Sequence, residues 1–277
     1  MTETQAAGTA WNRPRGPLGE LTAASERRAE GLRPRAAELE RSALAAAAAP
    51  SLVSALAGDE VAVIAELKRR SPSRGVLDDA LDAGTRAAAY ADGGAAALSV
   101  LTEPTRFGGS LDDLRAVRRA TRLPLLRKDF IVDRVQLLEA RAAGASAVLL
   151  IARALPPATF AALVPEAFAL GLEVLLEVRS EAELERALVH GSAIIGVNNR
   201  NLETLELDDI AGARLLGKVP HGRIAVYESG VRDRADVLRA ARAGADAVLV
   251  GSALSTAADG SHAVTELAHV PRHSRGR

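Results

Sequence analysis

The 277-residue chain contains no cysteine. Disulfides, thiolate nucleophiles, zinc–thiolate sites and iron–sulfur clusters are thereby excluded. Aromatic residues are scarce, with four Phe, two Tyr and one Trp. That is too few for the stacking platforms that hold single-stranded nucleic acid. Charge of one sign is also lacking: 35 Lys+Arg balance 35 Asp+Glu. A general nucleic-acid binder or a polybasic membrane binder would be lopsided. No apolar run reaches the ~18 residues that a membrane span needs. Residues 1–17 have no apolar core of the signal-peptide kind, so a cytoplasmic location is expected. The five histidines (His190, His221, His262, His269 and His273) form no ligand cluster with carboxylates. Neither a dinucleotide-binding Gly-x-Gly-x-x-Gly nor a nucleophilic serine elbow occurs. No metal and no cofactor are expected, and acid–base chemistry falls to lysines and glutamates.

What remains is an ordinary globular composition, 48% hydrophobic and 25% charged, at a length that suits one α/β barrel. Residues 1–17 carry no periodicity and are expected to be a disordered tail. Residues 18–49 read as a helical extension broken at Pro34 and ending before Pro50. From Val61 onward, short apolar runs alternate with segments rich in Ala, Leu, Arg and Glu. Eight runs are predicted as strands: Val61–Ala65, Ala96–Leu101, Pro124–Leu126, Ala147–Ile151, Glu173–Leu176, Ala193–Val197, Ile224–Tyr227 and Ala247–Val250. Each is continuously apolar, the pattern of strands buried on both faces. Strict alternation with helices implies parallel pairing through right-handed crossovers.

An internal repeat supports the count. Ala143-Gly-Ala-Ser-Ala-Val-Leu-Leu150 returns as Ala243-Gly-Ala-Asp-Ala-Val-Leu-Val250, with weaker copies beginning at Gly94 and Gly191. Each glycine is expected to end a helix and open the turn into a strand. Each step is about two strand–helix units, so four steps give eight strands, which remove their edges by closing. The expected fold is a (β/α)8 TIM barrel with an extra N-terminal helical segment. It forms one domain over residues 18–270, including the extension 18–49, with a second disordered tail at 271–277.

Barrel enzymes work at the C-terminal ends of their strands. The predicted exits carry Glu66 and Lys68, Lys128, Glu177, Asn198 with Arg200, and Glu228. Alternation places Glu66 and Lys68 on one face. One such charge could be a solvated strand end. Acid, amide or lysine at five of eight exits is harder to dismiss, because inward charge is costly unless paired or working. Glycine and serine at the last two exits (Ser229, Gly230, Gly251, Ser252) suit a phosphate held by backbone N–H groups. Ser71 of Ser71-Pro72-Ser73 could add a hydroxyl. Taken singly, these are also ordinary turns and helix caps.

The longer motifs resemble the indole-3-glycerol phosphate synthase family. They are Ile64-Ala-Glu-Leu-Lys-Arg-Arg-Ser-Pro-Ser73, Leu125-Leu-Arg-Lys-Asp-Phe-Ile131, Glu173-Val-Leu-Leu-Glu-Val178, Ile195-Gly-Val-Asn-Asn-Arg-Asn-Leu202 and Glu228-Ser-Gly-Val231, with Phe107-Gly-Gly-Ser110 between the first two. The likeness runs in order from about Leu18 to Leu267. It implies the ring-closing step of tryptophan biosynthesis on 1-(2-carboxyphenylamino)-1-deoxyribulose 5-phosphate, yielding indole-3-glycerol phosphate, CO2 and water. It also implies an N-terminal helical segment over the barrel mouth. By the same resemblance, Lys128 is the general acid for closure and Glu177 the general base. Lys68 faces the substrate carboxylate and is a candidate acid for dehydration. Glu66, Asn198 and Glu228 orient lysines and ribulose hydroxyls. Ser71, Arg200, Ser229, Gly230, Gly251 and Ser252 bind substrate, and Phe107 and Phe130 flank its aromatic ring. The only implied partner is the phosphorylated small molecule, with no nucleic acid and no membrane, and a monomer is expected.

Three positions depart from the family pattern: Arg179, Val135 and Tyr227. Tyr227 adjoins Glu228, but alternation points it away from the barrel interior. Three alternatives stay open at this point. Phosphoribosylanthranilate isomerase would bring a Cys–Asp acid–base pair, which the lack of cysteine disfavours. A Schiff-base aldolase would use one lysine covalently. A non-catalytic barrel would be expected to have lost Lys128 or Glu177.

Overall fold

The computed structural model describes residues 11–72, 75–191 and 194–275. Among these, eight parallel strands form a closed barrel in sequential order. They are β1 (Ala62–Leu67), β2 (Ala97–Leu101), β3 (Leu125–Lys128), β4 (Ala147–Ile151), β5 (Glu173–Val178), β6 (Ile194–Asn198), β7 (Ile224–Glu228) and β8 (Ala247–Val250). The seam closes where β1 pairs with β8, Ala62 opposite Ala247. The strands are buried almost throughout, as expected of parallel strands covered on both sides.

The strand assignments are borne out, with one consequence for function. Several strands run one or two residues further than their apolar runs suggested. Glu66 pairs with Ser99, Lys128 with Leu101, Glu177 with Ile151, and Asn198 with Glu228. Glu66, Lys128, Glu177, Asn198 and Glu228 are therefore ladder-paired positions at or next to the strand ends, while Lys68 and the remaining candidates lie beyond them. A ladder bond holds a polar residue as firmly as an apolar one, so polarity misplaces these ends.

Helices α1 (Gly16–Leu32) and α2 (Ala36–Ala45) precede the barrel, joined by a 3-10 turn at Arg33–Arg35 where Pro34 was expected to break the helix. The outer layer follows as α3 (Ala83–Asp92), α4 (Leu111–Ala120), α5 (Arg134–Ala142), α6 (Pro157–Ala169), α7 (Glu181–Leu188), α8 (Asp209–Leu216) and α9 (Arg234–Arg242). Two short helices, α10 (Ser252–Ser255) and α11 (Gly260–Thr265), follow β8. Six of the seven outer helices begin at an acidic or serine cap: Asp82, Ser110, Asp133, Ser180, Asp208 and Asp233. Each accepts a backbone N–H of the first turn. The repeat glycines Gly94, Gly144 and Gly244 turn the chain back with φ of 93°, 88° and 93°, which only glycine adopts cheaply. Gly191 lacks the positive φ, yet it too lies between a helix, Glu181–Leu188, and a strand, Ile194–Asn198. Among the described residues, no helix is long and apolar enough to cross a membrane.

Residues 11–17 and 271–275, expected to belong to disordered tails, make defined contacts. Trp11 Nε1 donates to the Arg153 carbonyl, Arg153 donates to the Asn12 carbonyl at 2.7 Å, and α1 starts at Gly16, ahead of Leu18. At the other end, Pro271 bridges to Glu60. Arg275 is buried, donating to the Gly244 and Arg223 carbonyls at 2.7 Å and to Asp246 at 2.6 Å. Charged, aperiodic ends look loose in sequence because their partners are far along the chain. Residues 1–10, 276 and 277 lie outside the described residues.

Arg275 thus ties the chain end to the base of β8. Its replacement by Ala strips the half-buried Asp246 carboxylate of one of its two guanidinium partners, takes a donor from the carbonyls it serves, and should cost on the order of 3 kcal/mol. Urea unfolding at constant m value measures it. A loss within about 0.5 kcal/mol, typical of surface changes, would mean the end is a loose tail after all.

Candidate active site

Above the C-terminal ends of the strands lies a cavity of about 700 Å³. Every site residue expected from the sequence lines it: Glu66, Lys68, Ser71, Phe107, Lys128, Phe130, Glu177, Asn198, Arg200, Glu228, Ser229, Gly230, Gly251 and Ser252. Ser73 lies outside the described residues.

Five charged side chains from four strands and one loop meet in this mouth. Lys68 Nζ donates to Glu66 Oε1 at 2.7 Å. Lys128 Nζ sits between Glu228 Oε2 at 3.2 Å and Glu177 Oε2 at 3.4 Å. The three carboxylates are 2–4% exposed and the lysines 12% and 15%. Burial alone lowers the Lys128 pKa, but Glu228, Glu177 and Glu66 together outweigh it and the net direction is upward. Burial drives the Glu228 carboxyl upward; the Lys128 ammonium opposes this, and the like charge of Glu177 adds to it. Only one Glu228 oxygen is bonded; Oε1 is buried with no partner among the described residues.

Two glycines owe their identity to these carboxylates. A Cβ on Gly251 would lie 2.2 Å from Glu66 Oε1 and 2.7 Å from Lys68 Nζ. A Cβ on Gly196 would lie 2.1 Å from Glu228 Oε1. Gly251 was expected to be small so that phosphate could approach its backbone; close approach of the Glu66–Lys68 pair is a second and independent reason.

At the end of β7 the chain turns through two consecutive left-handed residues, Ser229 (φ 67°) and Gly230 (φ 89°). Such a φ is uncommon for serine and marks a functional turn. It brings Ser229 Oγ within 2.9 Å of Asn198 Oδ1, which also accepts from the Arg200 backbone N–H at 2.9 Å. Asn199 Nδ2 holds the Ser229 carbonyl at 2.8 Å. The exits of β6 and β7 are thus one hydrogen-bonded unit. Across the cavity the Phe107 and Phe130 rings lie 6.3 Å apart, tilted by 32°.

Several lining residues were not anticipated. Leu149 and Leu249 form part of the lining; each lies two positions before another lining residue, so strand alternation could have found them. Pro17 and Leu21 of α1 also line the cavity, and nothing local in the sequence announces them. Tyr227 stands opposite in parity to Glu228, as expected, yet still borders an extension of the cavity with Asp209 and Arg239. Val135 packs with Ala29, Leu39 and Ala43 of the N-terminal helices, away from the cavity. Arg179 lines a separate small pocket of about 140 Å³ beside Glu177. Among the described residues no group of three or more His, Asp or Glu is arranged to hold a metal ion.

Known proteins share both fold and sequence with this chain. Among solved structures, 3-hexulose-6-phosphate synthase from Salmonella typhimurium superposes with a TM-score of 0.60 at 18% identity, covering 75% of this chain and 96% of that one. A mutant tryptophan synthase α-subunit from Pyrococcus furiosus gives 0.58 at 17% identity, covering 76% and 98%. At that identity the likeness speaks for the barrel alone. Curated relatives come much closer in sequence. The indole-3-glycerol phosphate synthase of Rhodococcus jostii (strain RHA1) is 51% identical over 233 residues, 83% of this chain and 87% of the relative. That of Beutenbergia cavernae is 49% identical over 238 residues, 86% and 88%. The family model described as indole-3-glycerol phosphate synthase matches residues 21–267. A barrel whose mouth gathers two lysines and three glutamates, matched along nearly its whole length, belongs to the indole-3-glycerol phosphate synthase family.

Proposed function

We propose that this chain carries out its family's reaction by lysine–glutamate acid–base catalysis within the cavity at the barrel mouth. The reaction is ring closure, decarboxylation and dehydration of 1-(2-carboxyphenylamino)-1-deoxyribulose 5-phosphate, a carboxy-lyase step of tryptophan biosynthesis. The observation that carries the residue assignment is the Lys128 ammonium bridging Glu177 and Glu228, with the Glu66–Lys68 pair in the same cavity.

The chemistry sets the demands. In closure, the carboxyl-bearing ring carbon attacks the ribulose ketone, and its oxygen must gain a proton. The ammonium of Lys128 supplies it. The carboxylates keep that ammonium charged until an oxygen of alkoxide character develops beside it, and such an oxygen is basic enough to take the proton. The C–COO⁻ bond then breaks, its electron pair restores ring aromaticity, and CO2 leaves. Lys68 faces the departing carboxylate. In dehydration the new hydroxyl leaves as water with a proton from a lysine, while Glu177 removes the proton that allows the indole double bond to form. Glu66 and Glu228 fix the lysines, and Asn198 with Ser229 meets the ribulose hydroxyls. The phosphate lies against Ser71, Gly230, Gly251 and Ser252, Arg200 contributes to substrate binding, and Phe107 with Phe130 flanks the aromatic ring.

All of these groups come from one chain, so the proposed site needs no residue from a second copy. A phosphorylated substrate, unable to cross a bilayer unaided, suits a cytoplasmic enzyme. Appearance of indole fluorescence on adding the carboxyphenylamino-ribulose phosphate to purified protein tests the reaction itself, and its absence would overturn the reading.

Three further measurements test the parts. Lys128→Ala and Glu177→Gln should each lower kcat by about 10²–10⁴-fold, with native circular dichroism. Lys128→Arg should not rescue, since a guanidinium does not give up its proton. Near-wild-type kcat for Lys128→Ala would move the closing acid to Lys68. Gly251→Ala should reduce kcat by roughly 10–100-fold through displacement of the Glu66–Lys68 pair, as well as raise KM. A change in KM alone would leave phosphate as the only reason for that glycine. Because the acid–base groups suffice without a metal, dialysis against EDTA should leave the rate unchanged; a loss restored by a divalent cation would refute this.

A further inference from the structure

One buried carboxylate in the mouth does not face the cavity's charge cluster. Asp129 follows Lys128 directly, and its side chain is wholly buried. Its Oδ1 accepts from Arg28 Nη2 at 2.7 Å and from the Phe130 backbone N–H at 2.8 Å. Its Oδ2 accepts from Thr102 Oγ1 at 2.7 Å, from Arg127 Nη2 at 3.1 Å and from Arg28 Nη1 at 3.3 Å. Three of these donors come from the barrel itself. The fourth residue, Arg28, comes from α1, about a hundred residues earlier in the chain.

Arg28 does not act alone. Ser25, three residues before it and so on the same helix face, donates to the Phe130 carbonyl and accepts from Gln136 Nε2 at 2.8 Å. Leu21, four residues earlier again on that face, lines the cavity. One stripe of α1 therefore reads Leu21 in the cavity wall, Ser25 on Phe130 and Arg28 on Asp129. The other end of the helix is fixed separately, with the Leu18 N–H donating to the Leu202 carbonyl at 3.0 Å.

We propose that Arg28 and Asp129 are positioning residues for the reaction: their ion pair seats α1 as a wall of the substrate cavity, and the same carboxylate braces the strand end that carries Lys128. The pair divides the work. On the helix side, Arg28 places Leu21 beside Phe130, where the aromatic part of the substrate is proposed to lie. On the strand side, Asp129 retains Thr102, Arg127 and the Phe130 N–H even without Arg28, so Lys128 stays in register. The burial that would raise the Asp129 pKa is outweighed by Arg127 and Arg28, which hold it at about 2, so the pair is charged throughout the neutral range. This inference rests on the cavity being the substrate site and on Lys128 being its acid.

The two sides predict different kinetics. Arg28→Met keeps the length of the side chain and removes the charge from a partly exposed residue. It should raise KM roughly tenfold, the scale of one charge-assisted hydrogen bond, with kcat within about twofold of wild type. Arg28→Lys should recover part of that loss. Asp129→Asn should instead lower kcat, because it unties the strand end next to Lys128. Hydrogen–deuterium exchange supplies a readout independent of turnover: residues 16–32 should exchange faster in Arg28→Met while the barrel strands keep wild-type protection. Unchanged exchange in α1, or a kcat loss at constant KM in Arg28→Met, would overturn the proposal. Should the wild-type chain fail to turn over the substrate, the catalytic reading falls. The exchange comparison would still decide whether Arg28 seats the helix.

Discussion

Charge buried in the mouth of a packed barrel must be paired where it stands, and most of the site follows from that constraint. Three carboxylates and two ammoniums share a cavity that also has leucine, isoleucine and phenylalanine in its walls. An isolated ion there would be neutralised or expelled. The Glu66–Lys68 and Lys128–Glu177–Glu228 contacts keep all five in place. They also reach into the neighbouring strands, because the carboxylates occupy the space that side chains at positions 196 and 251 would fill. Two glycines that look like loop punctuation are thus the complement of two glutamates.

A second layer of pairing lies behind the first. Arg127 is about 2% exposed and spans Thr102, the Gln136 carbonyl, Asp129 and Glu139. Glu103 is fully buried and accepts the backbone N–H groups of Thr105, Arg106 and Phe107, which sets the loop that presents the Phe107 ring. Alternate residues of one strand therefore serve opposite purposes: Lys128 faces the cavity, while Arg127 and Asp129 fix the frame. Preorganisation of this kind is what acid–base groups need if the barrier is not to include their own rearrangement.

The sequence made the barrel legible because apolar runs, caps and the spaced glycines all point to the same period. It made most of the candidate positions legible because strand exits in a barrel converge whatever the chemistry; Phe107 and Phe130 followed only from the family resemblance. What it hid has a common cause: interactions between residues far apart along the chain. Pro17 and Leu21 look like any helix residues until α1 lies over the mouth. Arg272 and Arg275 look like a solvated basic end until Asp246 is placed beneath them. Gly251 shows its turn but not the carboxylate against it. The strands outrun their apolar runs by a residue or two because ladder pairing continues through polar positions.

The two ends of the described chain lie at opposite faces of the barrel. Trp11 and Asn12 sit beside Arg153 and the loop after β6, at the mouth. Arg275 sits against Gly244 and Asp246, where β8 begins, at the base. Cargo tethered beyond Arg275 departs from the floor, on the side away from the cavity. The same cargo placed ahead of residue 11 stands at the doorway, next to the helix that forms one of its jambs. For immobilisation, labelling or tandem arrangement with another enzyme, the molecule therefore has a working side and a handle.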